Sequence, residues 1–200
     1  MLIAFLHVGP DTKQAERMVK SAQGQGHKLV QLSDEESPDV PGCSIYRHQR
    51  AGEGIMYFRA NCYAGFNQAG FYLDTDMLVI HALSPIMALD FDIAVTKRKN
   101  AVKDPNGVNI SDAMPYNGGF VAVKDPTFWP EVAERMSKMD SESQRWYGDQ
   151  LAIAQAAKKR RVLELPDSIY NYPVKSRGED LSGRWVAHFK GAAKEWMHDY

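Results

Sequence analysis

Residues 71–80, FYLDTDMLVI, place Asp74 and Asp76 one residue apart at the end of an apolar run. Side chains of an extended segment alternate, so the two carboxylates point to one side and can share a hard divalent cation, Mg2+ or Mn2+ rather than a soft-ligand metal. The same ten residues also fit a hydrated turn after a strand, or a nucleophile and general acid/base pair for attack on a phosphate.

A second cluster lies more than 100 residues downstream, in WVAHFKGAAKEW at 185–196. It reads as a strand delivering His188, a turn at Gly191 and a helix start from which Lys194 reaches back. Neutral imidazole is a suitable third ligand for Mn2+, Gly191 lets backbone approach a phosphate, and Lys194 supplies a point charge. If it folds onto Asp74 and Asp76, it forms half of a metal-diphosphate clamp.

The intervening pattern must position these groups. LIAFLHV (2–8) is a buried-type strand, followed by a helix through Ala15, Met18, Val19 and Ala22 that stops at Gly24 and Gly26, and by a second strand, HKLVQLS. Strand, helix, strand predicts a parallel sheet. CSIYRH (43–48), a helix over 54–64 and AGFYLD (69–74) lead to the aspartates, at the C-terminal strand ends where open α/β sheets bind ligands. FDIAVTK and GGFVAVK add strands on either side of a polar loop over 99–117, longer than most connections and of a kind often functional. Helices follow over 126–139 and 145–159, the second ending in a basic run, Lys158 to Arg161, expected to be a solvated helix end that complements the helix dipole. One or two short strands and a terminal helix complete a single α/β domain over 1–200, a mostly parallel central sheet flanked by helices.

The chain has 44% hydrophobic and 24% charged residues, enough for one substantial core. Its net charge of -1 gives no electrostatic case for a nucleic-acid partner, no stretch reaches membrane-span length, and the N-terminus reads as a strand rather than a leader. Cys43 and Cys62 lack metal-ligand spacing and fit reduced core thiols, so a cytoplasmic location is expected.

LDTDMLV together with HFKGAAKEW resembles the D-x-D and C-terminal H-x-x-G-x-x-K motifs of glycosyltransferase family 8, whose members include glycogenin and bacterial lipooligosaccharide galactosyltransferases. PYNGGFVAVK (115–124) is similar to the family's N-x-G strand and WYGDQLAIAQ (146–155) to its D-Q helix start, in the family's order. A haloacid-dehalogenase-type phosphatase with Asp74 as nucleophile is the rival reading, but Ala152 and Ile153 stand where its late second acid belongs. A nucleotide-sugar-binding module without catalysis is a further alternative.

The resemblance implies a GT-A (Rossmann-like) fold, a UDP-sugar donor, Mn2+ (or Mg2+), and transfer of a hexose with retention to an acceptor it leaves open. By the same resemblance, Asp76 and His188 are metal ligands, and Asp74 is shared between the metal and the donor ribose, with Thr75 beside it in the donor site. Gly191 and Lys194 bind the diphosphate. Asn117 hydrogen-bonds the sugar, Gly118 and Gly119 let substrate approach, Asp149 holds a sugar hydroxyl, and Gln150 lies behind the anomeric carbon. His7 and Val8 seat the nucleobase. Arg59 falls near a basic position that the family uses against the donor, but without a flanking motif it is expected on a solvated helix face, and Lys97, Arg98 and Lys99 either face an anionic acceptor or donor or have no function.

Overall fold

The computed structural model describes residues 1–99, 101–103 and 107–200. The first half alternates as the spacing predicts: β1 (Leu2–Leu6), α1 (Lys13–Gly24), β2 (Lys28–Ser33), β3 (Ser44–Arg47), α2 (Ile55–Phe66) and β4 (Gly70–Leu73). Next come β5 (Met77–Val79), the short α3 (Ser84–Met87), β6 (Ile93–Lys97) and β7 (Tyr116–Val123). Helices α4 (Phe128–Ser137), α5 (Ser141–Arg145) and α6 (Gly148–Ala157) precede β8 (Val162–Pro166), α7 (Asp167–Tyr170), β9 (Tyr172–Pro173) and β10 (Val186–His188), and a 3-10 helix covers Gly191–Asp199.

The main sheet has seven strands in the order β3-β2-β1-β4-β7-β6-β8. All its pairings are parallel except those of β7, which runs against both β4 and β6. The sequence pattern misses this inversion because a strand buried on both faces is apolar in either direction. A second sheet, β5-β10-β9, pairs β5 antiparallel with β10, so that Met77 lies opposite His188.

Period-two alternation divides the core. Ile3, Phe5, Phe71, Leu73 and Phe120 face α1 and the small sheet, whereas Ala4, Tyr72, Val95 and Val121 face α2, α4 and α6. A fully buried phenylalanine such as Phe71 or Phe120 contributes about 2–3 kcal/mol by burial. Tyr72 is packed between Tyr63 and Trp129, with ring centroids 4.8 and 5.0 Å away. Arg59 precedes Tyr63 by one helical turn on the same face of α2, so this aromatic contact also aims Arg59 at the end of β4.

Three local expectations are corrected. The helix expected over 145–159 is broken at Trp146 and Tyr147; a Cβ on Gly148 would lie 2.5 Å from the Ser143 carbonyl oxygen, so α6 can start there only with glycine. The strand expected over 2–8 ends at Leu6, leaving His7 and Val8 in the following loop. The basic run is a solvated helix end at Lys158, Lys159 and Arg161, all exposed, but not at Arg160, whose side chain is only 6% exposed and pairs with Asp125 and Glu131. Arg161 pairs with Asp90 and Asp92. Of the long polar loop, Asn100, Asp104, Pro105 and Asn106 lie outside the described residues. The thiols of Cys43 and Cys62 are free, and burial pushes them up to about 11 and 12 respectively, consistent with inert core positions.

Arg160→Ala strands two carboxylates that keep some contact with water, and is expected to cost about 2 kcal/mol in urea unfolding. Arg161→Ala, on an exposed pair, is expected to leave the unfolding midpoint essentially unchanged.

Candidate active site

Asp74 closes β4, and Thr75 and Asp76 form a turn into β5. The carboxylates therefore converge through a turn and not, as expected, through strand alternation. The Asp74 N–H donates to the Gly119 carbonyl at 3.0 Å, and the Phe189 N–H donates to the Asp76 carbonyl at 2.8 Å, fixing the turn between β7 and β10. The β5–β10 pairing then delivers His188 to Asp76. One ligand atom each of Asp74, Asp76 and His188 lie within 4.8 Å of one another, the only such cluster among the described residues.

The donor set fits a hard divalent cation on physical grounds. His188 Nδ1 lies 2.7 Å from Asn171 Oδ1, and Asn171 Nδ2 donates to Thr96 Oγ1 at 2.8 Å. Because Nδ1 must be the donor to that oxygen, Nε2 presents its lone pair to the buried Asp76 Oδ1, 3.0 Å away. Two lone pairs at that separation repel unless a proton or a cation lies between them. Asn171 thus fixes the ring of His188 from outside the cluster, the arrangement in which an imidazole can serve as a metal ligand. Lys194 Nζ lies 3.0 Å from the other oxygen, Asp76 Oδ2. Burial alone would raise the Asp76 carboxyl, but when a proton on Nε2 rather than a cation fills that gap, the hydrogen bond and charge of His188, then Lys194, outweigh burial and hold the group at about 2.

On the other side of β7, Arg59 Nη1 donates to Asp74 Oδ1 at 2.6 Å, and Nη2 pairs with Asp149 Oδ2. Arg59 is only 13% exposed, so it is not on a solvated helix face as the sequence suggested; it bridges the two carboxylates. Asp149 lies in the first turn of α6 and does not cap it, since the cap position is Tyr147. Its Oδ1 is buried with no protein partner, leaving an acceptor for a ligand hydroxyl. Gln150 Oε1 accepts from Arg98. Of the basic trio before the long loop, only Arg98 reaches the site, since Lys97 pairs with Glu164 and Lys99 with Asp167.

The two halves meet across bare backbone. A bulge between Val95 and Thr96 of β6 shifts the register of β7, and the Asn117 Oδ1 accepts from the Gly119 N–H at 3.0 Å within it. The Asn117 carbonyl oxygen is thus engaged in turn chemistry. A Cβ on Gly118 would face Asp149, Gln150 and Arg59; one on Gly119 would lie 2.8 Å from Asp74 Oδ2 and 2.9 Å from His188 Cε1.

Two cavities open from the aspartates. The first, of about 340 Å3, is lined by Leu6, His7, Val8, Ile55, Tyr63 and Thr75, and includes Asp74, Asp76 and Lys194. His7 Nε2 is buried there without a partner, and burial lowers the imidazole below its ordinary value. The second, of about 440 Å3, shares both aspartates and Lys194 and is bounded by Arg98, Trp146, Tyr147, Gln150, Lys190 and Gly191. Gly191 has φ +57°, a left-handed conformation that favours glycine, and it turns the chain from β10 into the 3-10 helix bearing Lys194. Every site residue expected from sequence except Asn117, Gly118, Gly119, His188 and Asp149 lines one of these cavities, and those five abut them through the contacts above. Sequence reasoning missed Asn171, which no motif marked, and gave no role to Tyr147 although it lies in the stretch quoted for the D-Q helix start.

Gly119→Ala is expected to force Asp74 and His188 apart and to weaken Mn2+ binding about tenfold or more in a calorimetric titration. Gly183→Ala, whose added Cβ meets nothing within 4 Å, serves as the neutral control.

No protein-family profile matches the sequence, and no curated protein does. Solved structures do. A galactosyltransferase, LgtC, crystallised with donor and acceptor sugar analogues, superposes with a TM-score of 0.66 at 17% identity, covering 98% of this chain and 89% of that one. A glycosyltransferase involved in glycosylating the major capsid of PBCV-1 superposes with a TM-score of 0.61 at 15% identity over 100% of both chains. The bifunctional glycosyltransferase WbbM gives 0.63 at 11% identity, covering 96% of this chain and 46% of that one. Among the described residues, no helix is long and apolar enough to cross a membrane. The fold of the chain is the GT-A glycosyltransferase fold, as the four motifs had implied.

Proposed function

We propose that the protein is a metal-dependent retaining glycosyltransferase that moves a hexose from a UDP-sugar to an acceptor hydroxyl. The observation that carries this reading is the convergence of Asp74, Asp76 and His188 on one side of the bare β7 backbone with Asp149 and Gln150 on the other. Asp74, Asp76 and His188 would hold Mn2+ or Mg2+, which when bound supplies positive charge to the departing diphosphate.

The chain's own residues do the rest. His7 and Val8 seat the nucleobase, with Thr75 on the same wall as the ribose. Lys194 and the backbone at Gly191 neutralise charge that develops on the diphosphate as the anomeric bond breaks. The unpartnered Asp149 Oδ1 accepts a sugar hydroxyl, and Asn117 borders the same sugar. Gln150, its amide oriented by Arg98, closes the face of the sugar opposite the leaving group. The acceptor then approaches from the leaving-group side, which accounts for retention.

The phosphatase reading fares poorly in this geometry. A general acid needs a pKa raised toward the working pH, whereas Asp76 is held at about 2. Asp74, its proposed nucleophile, has Oδ1 engaged by Arg59.

Calorimetry with UDP in the presence and absence of MnCl2 tests the proposal. UDP should bind at least about tenfold more tightly with Mn2+, and Asp76→Ala or His188→Ala should remove that gain. Metal-independent binding would sink the reading. Gln150→Ala should bind UDP normally but release UDP from a UDP-hexose about 100-fold more slowly. Tight Mn2+-dependent UDP binding with no release from any UDP-sugar, even with an acceptor panel, would identify a binding module instead.

A further inference from the structure

The second cavity carries more positive charge than a sugar-nucleotide donor uses. Its wall holds Arg98, Lys103, Lys190 and Lys194, against Asp74 and Asp76 as the only carboxylates among the described residues lining it. A divalent cation and the two negative charges of a nucleoside-diphosphate sugar cancel, so an excess of two positive charges persists with the donor in place. Lys194 is engaged with Asp76. Arg98, Lys103 and Lys190 have no ion-pair partner among the described residues, and the Arg98 Nε is buried without a hydrogen bond.

Trp146 stands at the same opening. It is 72% exposed and lies between α5 and α6, in the lining of the cavity. The break between those helices directs the indole to the cavity and not to the core. An open aromatic face beside fixed cations suits a ring with an apolar C–H face and a negative substituent.

Resting on the glycosyltransferase reading, we propose that this cavity is the acceptor site and takes a sugar bearing a carboxylate or phosphate group. The acceptor ring lies on Trp146, and its negative charge meets Lys190 and Arg98, with Lys103 at the margin. In the transfer, the acceptor hydroxyl oxygen bonds to the anomeric carbon as the bond from that carbon to the diphosphate oxygen breaks, and the hydroxyl proton leaves with the diphosphate. A neutral acceptor would leave the excess charge uncompensated.

Saturation-transfer NMR on the full chain tests this, with methyl glucoside, methyl glucuronide and glucose 6-phosphate as probes, each with and without UDP and Mn2+ to fill the donor side. One or both charged sugars should bind at least tenfold more tightly than the neutral one, and the stronger of the two identifies the anionic group. Lys190→Glu should abolish the preference while Lys190→Arg keeps it. Trp146→Ala should weaken all three sugars about tenfold, with Trp146→Phe restoring most of the loss. Equal affinities for the three probes, or a preference that survives Lys190→Glu, would overturn the assignment. A Lys190-dependent preference in a protein that fails to bind UDP with Mn2+ would support the anionic-sugar site and remove the transferase reading alone.

Discussion

Three carboxylates, those of Asp74, Asp76 and Asp149, are gathered beyond the C-terminal end of the central strand β4, and their mutual repulsion is the constraint the surrounding structure answers. At the 4.8 Å limit separating the ligand atoms of Asp74 and Asp76, two like charges repel by about 3–4 kcal/mol at an effective dielectric of about 20. Arg59 offsets this by gripping Asp74 and Asp149 at once, while His188 and Lys194 divide the two oxygens of Asp76. These three groups come from different elements, α2, β10 and the 3-10 helix, so the cluster adds polar ties between parts of the chain that the core also brings together.

The inverted strand β7 makes the gathering possible. Its two successive glycines point to opposite faces, one toward Arg59 and Asp149, the other toward Asp74 and His188, and a side chain on either would enter space already filled. From β6, the chain Thr96, Asn171, His188 carries orientation into the small sheet by hydrogen bonds between buried groups. The half of the site formed by Asp74, Asp76 and His188 is therefore referenced to the main sheet, although its histidine lies outside it.

Much of this was legible in the sequence. Asp74 and Asp76 follow an apolar strand, His188, Gly191 and Lys194 keep fixed spacing, and the order of strands and helices in the first half follows from apolar periodicity. Arg59 was legible only through the family resemblance, because its burial depends on Asp149, 90 residues later, and a lone arginine on a helix looks solvated without that partner. Arg160 misled for the same reason: four basic residues in a row look like a surface until Asp125 and Glu131 are brought to one of them. The break before α6 was hidden because apolar periodicity continues through it, and only the close approach of Gly148 to the Ser143 carbonyl shows why a helix must restart there.

The pairing of β5 with β10 sets Met77 against His188, residues more than 100 positions apart, through a ladder only three residues long. Closing so large a loop is entropically costly, and the ladder is held by burial of Met77, Leu78, Val79, Val186 and Ala187 rather than by its length. Any ligand that joins Asp76 to His188 acts as a clasp on that ladder. Binding there would therefore stabilise the folded C-terminal segment as well as complete the site, and would slow proteolysis that depends on its opening.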